Sequence, residues 1–78
     1  MSQKPNWEKT TGINKEVAKR LRTIRRNKKI SQEELWYISG VSLGSIKRFE
    51  RTGNISFVSL IKIASALGKA KDIENLFK

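Results

Sequence analysis

Three stretches that can open a helix share one local device, an apolar residue followed by a serine, with a second apolar residue five positions after the first. The three units are Ile30-Ser31 with Leu35, Val41-Ser42 with Ile46, and Ile55-Ser56 with Leu60. Each reads as a helix start. The serine hydroxyl accepts from a first-turn N–H, and the flanking apolar pair packs together as a hydrophobic staple. At Ser31 the third helical residue is Glu34, which completes a capping box. Three starts of this kind fix the angle at which the chain enters each helix, so the expectation is a compact all-α domain.

The remaining boundaries follow from caps and periodicity. Helix 1 is expected from about Lys15 to Lys28, with Asn14 as N-cap and a buried stripe of Val17, Leu21 and Ile24. Helix 2 runs Gln32 to Ser39 and ends at Gly40, which accepts a positive φ at little cost. Helix 3 runs Leu43 to Arg51, before Thr52-Gly53. Helix 4, Phe57 to Leu67, is apolar almost all round and reads as the central buried helix. A short final helix is expected over Asp72 to Phe77, its apolar residues Ile73, Leu76 and Phe77 serving either as a core cap or as a self-association patch. Residues 1–12 read as a flexible polar arm, with Trp7 docking loosely and Lys4 and Lys9 following a nucleic-acid backbone or minor groove. Residues 13–78 form the one domain.

Charge narrows the chemistry. Seventeen Lys and Arg oppose seven Asp and Glu, for a net charge of +10, and the 78 residues include no Cys and no His. The usual general base, zinc ligands and thiolate are missing, so the chain is expected not to be an enzyme and to use neither metal nor cofactor. A field this positive favours polyanions. The longest apolar stretch, Phe57 to Leu67, is too short to span a bilayer and contains Lys62. No apolar signal segment precedes it, and a cytoplasmic chain without membrane attachment is expected.

Helix 3 concentrates that charge on one side. Gly44, Lys47, Arg48 and Arg51 fall at i, i+3, i+4 and i+7 and share a face, while Ile46 and Phe49 point to the core. A small residue near the N-terminus with three cations behind it suits close approach to a DNA major groove. Arg reads guanine O6 and N7 with two hydrogen bonds, Leu43 offers apolar contact to a thymine methyl, and Ser42 and Ser45 bond phosphate or a base edge. The cations of helix 1 (Arg20, Arg22, Arg26 and Lys28) read mainly as a solvated surface, of which only some touch phosphate.

The run from Ile30 to Leu67 resembles the lambda-repressor-like (Xre-type) helix-turn-helix regulators. The resemblance lies in Ile30-Ser31-Gln32-Glu33-Glu34-Leu35, the Gly40-Val41-Ser42 turn, Ile46, Phe49-Glu50-Arg51, and Ser59-Leu60 through Ala64, Ala66, Leu67 and Gly68. It implies five helices, with helices 2 and 3 as the DNA-reading unit, and a homodimer on an inverted repeat. It implies that Gln32 faces a phosphate at the N-terminus of helix 2, and that Leu43 and Gly44 lie where the recognition helix first meets bases. Arg48 takes another base-reading position, while Arg51 and the Thr52-Gly53 loop approach the backbone. It also implies an Arg25–Glu50 salt bridge between helices 1 and 3. Close relatives often sit beside toxin-like kinases or in mobile elements.

Two positions depart from the family pattern. Trp36 stands where a small residue is usual and Ser39 where a larger apolar one is common, so either helix 2 is shifted or rotated, or Trp36 splays outward. Leu43-Gly44 replaces residues that are often Gln or another hydrogen-bonding type. Taken together, the residues and the resemblance lead to a sequence-specific binder of double-stranded DNA. It is expected to be a transcriptional regulator, most simply a repressor, held at the nucleoid by its DNA. The alternatives are an antitoxin that also binds a toxin-like partner, and a protein-interaction adaptor using Trp36, Tyr37 and Ile38 on helix 2.

Overall fold

All three serine starts open helices. Ser31, Ser42 and Ser56 each accept from the backbone N–H three residues on, at 3.0 Å from Glu34, 3.2 Å from Ser45 and 3.1 Å from Ser59. At Ser31 the capping box closes, since its own N–H donates to Glu34 Oε1 at 3.1 Å. The computed structural model describes residues 10–78, which form α1 (Thr10–Asn27), α2 (Gln32–Ser39), α3 (Leu43–Thr52), α4 (Phe57–Ala66) and α5 (Ala70–Glu74). These described residues are all-helical, with no strand.

The core shows why the staples matter. Ala18, Leu35, Val41, Ile46, Phe49, Ile63, Ala64 and Leu67 are buried, and Ile30, Ile55, Leu60, Leu21 and Ile24 pack against them. Of the six staple residues, Leu35, Val41 and Ile46 lie in the core and Ile30, Ile55 and Leu60 pack against it. Helix α1 packs on α3, α2 on both α3 and α4, and α4 on α5. Ile46 is wholly buried, so the rotation of α3 about its axis is set by the core. Burying a side chain of that size contributes about 1.5–3 kcal/mol.

Two glycines allow the tight joins around α3. Gly40 ends α2 at φ +76°, its N–H donating to the Trp36 carbonyl at 2.9 Å. Gly53 ends α3 at φ +83°, and there a side chain is excluded by space as well as by conformation. A Cβ would lie 2.6 Å from the Asn14 carbonyl carbon and 2.8 Å from the Lys15 nitrogen. The end of α3 thus rests directly on the main chain of α1.

That contact accompanies the largest departure from expectation. Helix α1 begins at Thr10 rather than Lys15, so Asn14 lies inside the helix and caps nothing. No proline interrupts the chain between Asn6 and Asn14, and the packing of Gly53 against Asn14 and Lys15 gives that turn a tertiary partner. Thr10 to Gly12, expected in the arm, are helical; the rest of the arm, with Lys4, Trp7 and Lys9, lies outside the described residues. Helix α4 is buried only in its second half. Ile63 and Ala64 are inside, but Phe57 and Val58 in the first turn are 58% and 61% exposed. Helix α5 is shorter and earlier than expected and has no side-chain cap. Ile73 is half-buried, whereas Leu76 and Phe77 follow the helix and are exposed.

Candidate functional site

The site begins with an ion pair beneath α3. Arg25 Nε and Nη2 donate to Glu50 Oε2 and Oε1 at 2.7 and 2.9 Å, and both side chains are 8% exposed. Arg25 Nη1 donates to the Ile30 carbonyl at 2.8 Å, and Gln32 Nε2 donates to Glu50 Oε1 at 3.0 Å. One guanidinium therefore ties together α1, the α1–α2 loop and α3. Bidentate geometry of this kind is the strong form of the interaction.

With α3 pinned by Ile46, Phe49 and Glu50, its other face is determined. Gly44, Lys47, Arg48 and Arg51 are exposed, and a Cβ built on Gly44 meets nothing within 4 Å. Leu43 and Ser45 are half-buried at the helix start. Several polar side chains expected at a ligand are already engaged within the fold. Ser42 Oγ accepts the Ser45 N–H and donates to Ser45 Oγ at 2.8 Å. Ser45 then keeps its own hydroxyl proton for an outside acceptor. Thr52 Oγ1 donates to the Arg48 carbonyl at 2.7 Å and accepts from the Asn54 N–H at 3.1 Å. Gln32 retains one N–H and its carbonyl oxygen beyond its bond to Glu50.

Beside this face lies an open basin of about 630 Å³, lined by Arg22, Arg25 and Arg26 of α1, Gln32 of α2, and Lys47, Glu50 and Arg51 of α3. Five cations and one carboxylate leave a net charge of +4, and the carboxylate is already paired with Arg25. Arg22 and Arg26, expected on a largely solvated surface, line this basin instead. The spacing carries a signal for them: Arg22 lies three residues before Arg25 and four before Arg26, so on a helix it neighbours both. Arg20 is not part of the basin. It pairs with Glu16 at 3.2 Å on an exposed surface, a contact worth little.

On α2, Trp36, Tyr37 and Ile38 are 51%, 88% and 51% exposed. Of the two arrangements open for Trp36, the outward one is observed. Ser39 is half-buried and its Oγ accepts the Val41 N–H at 3.1 Å. Trp36 and Tyr37 line a shallow apolar depression with Glu33 and Gly40. No helix among the described residues is long and apolar enough to cross a membrane. Comparison of the chain with protein-family models, curated proteins and solved structures found no match in any of the three.

Proposed function

We propose that this chain is a sequence-specific binder of double-stranded DNA of the lambda-repressor-like, Xre-type class, with α2, the Gly40 turn and α3 as its helix-turn-helix. It acts as a transcriptional regulator, as a homodimer on an inverted repeat, and represses by occupying a promoter. The observation that carries this reading is the outward face of α3. Gly44, Lys47, Arg48 and Arg51 take no part in the core, while the opposite side of the same helix is locked by Ile46, Phe49 and Glu50. A rigid helix presenting a small residue and three cations suits groove entry. Arg48 is the base reader, worth about 1–3 kcal/mol of discrimination at a guanine. Lys47 and Arg51 neutralise phosphates, Ser45 donates its free hydroxyl proton, and Leu43 packs on a thymine methyl.

Selection from a random duplex library at near-physiological salt tests the proposal. Enrichment of an inverted repeat with half-sites about one helical turn apart is the expected result. Salt-sensitive binding without any enriched sequence would remove the groove-reading role.

A second reading has its own observation. Trp36, Tyr37 and Ile38 are all exposed on α2, and Trp36 and Tyr37 share an apolar depression; exposed apolar surface marks partner surfaces. In that reading the chain is an interaction adaptor, or an antitoxin that holds a toxin-like protein through α2 while α3 holds DNA. An adaptor is indifferent to Arg48→Ala; an antitoxin is not.

A further inference from the structure

The basin between α1 and α3 holds charge that the fold leaves unbalanced. Its floor is settled, because Glu50 takes two hydrogen bonds from Arg25 and one from Gln32. Around that floor stand Arg22, Arg26, Lys47 and Arg51. Among the described residues none of these four has a carboxylate within ion-pair distance. Four like charges lining one concavity repel one another, and a cleft of single sign concentrates counter-ions. The arrangement lowers its energy by taking up negative charge.

The charge count and the side-chain chemistry define which anion. A lone carboxylate answers one cation of four. Three of the four, Arg22, Arg26 and Arg51, are guanidinium groups, and the planar fork matches phosphate oxygens in pairs. We propose that this basin is a binding site for clustered phosphate oxyanions, gripped by Arg22 and Arg26 from one wall and Lys47 and Arg51 from the other. The same chemistry is offered by adjacent phosphates of a nucleic-acid backbone and by a free di- or triphosphate. For the first source the inference builds on the DNA reading; for the second it stands apart from it. A free polyphosphate bound here competes with DNA for the side chains beside the α3 face.

Inorganic triphosphate titrated into the full chain at near-physiological salt, followed by calorimetry and by amide and side-chain NMR shifts, is the test. The expected result is one saturable site, with the largest shifts at Arg22, Arg26, Lys47 and Arg51. The double variant Arg22→Gln, Arg26→Gln weakens binding about tenfold for each cation removed, as loss of charge-assisted hydrogen bonds predicts. The charge-matched variant Arg20→Gln, Lys62→Gln, both outside the basin, leaves it within about twofold, a small fraction of that loss. Absence of saturation, largest shifts elsewhere, or equal loss in both double variants overturns the site.

Binding of a mixed-sequence duplex to the same variants separates the sources. If the Arg22, Arg26 variant loses duplex affinity and its salt slope falls by about 0.9 per lost contact, the backbone is an occupant. If it loses only triphosphate, the occupant is the free anion. Triphosphate bound in the basin of a protein that enriches no duplex sequence leaves the site standing and removes the DNA reading alone.

Discussion

Arg25 and Glu50 lie on different helices yet share two hydrogen bonds of 2.7 and 2.9 Å in a largely dry setting. A pair so enclosed is worth less as a source of stability than its geometry suggests, because both ions gave up hydration. Its loss is another matter. Glu50→Ala leaves Arg25 without its partner, and Arg25→Ala leaves Glu50 facing only Gln32. Each is expected to destabilise by about 3–5 kcal/mol. The double variant Arg25→Met, Glu50→Leu is expected to recover most of that loss. Denaturant midpoints of the four proteins check this; a double variant as unstable as the sum of the singles contradicts it.

Gly40 and Gly53, the left-handed glycines on either side of α3, differ in surroundings, and their alanine variants are expected to differ accordingly. At Gly40 a Cβ meets nothing within 4 Å, so Gly40→Ala costs only the conformational term, about 1–2 kcal/mol. At Gly53 the Cβ collides with the Asn14 and Lys15 backbone. Gly53→Ala forces α1 and α3 apart and is expected to cost clearly more. Thermal melts of both variants decide, and equal losses argue against main-chain contact at Gly53.

Gly44 supplies the opposite case. It sits in α3 with open space around its Cα, so Gly44→Ala removes conformational freedom from the unfolded chain without strain in the folded one. A gain of about 0.4–1 kcal/mol in stability is expected. In the DNA reading the same methyl stands off a groove wall, so affinity falls. Stability and duplex affinity moving in opposite directions is the expected signature; a stabilised variant with unchanged affinity shows that nothing approaches Gly44 closely.

Lys47 and Arg48 are neighbours in sequence with different expected roles. Arg48→Ala is expected to weaken specific binding by about 1–3 kcal/mol and to relax one base position. Lys47→Ala is expected to weaken all duplexes similarly and to reduce the salt slope by about one. Competition binding with matched and single-mismatch duplexes over a salt series separates them. Small, equal effects on every sequence remove Arg48 from base reading.

The sequence is most legible where structure is local. Helix α2 begins and ends where its capping box and Gly40 put it, and α3 begins after Ser42, because these signals are complete within a few residues. The start of α1 is not local: Asn14, a good N-cap residue, lies inside the helix, with Gly53 packed on its main chain. The exposure of Phe57 and Val58 is not legible either, because a helix apolar all round does not say which of its turns are covered. At the site, the outward position of Gly44, Lys47, Arg48 and Arg51 followed from helical spacing. The basin did not, since its two walls come from helices on either side of α2 and only tertiary packing brings Arg22 and Arg26 to Lys47 and Arg51.

Helix α3 is fastened to α1 twice, at Gly53 on Asn14 and at Glu50 on Arg25. Along α1 these two points are about 16 Å apart at 1.5 Å per residue. Two anchors on one beam remove the swivel that either alone would permit, and the first anchor is main chain against main chain, with no side chain to give way. The gauge between the two basin walls is therefore set by one backbone contact and one ion pair together. Exchanges at Leu43, Gly44, Lys47 or Arg48 change what the outer surface of α3 offers while leaving where it stands untouched, as interchangeable bits do in a fixed chuck.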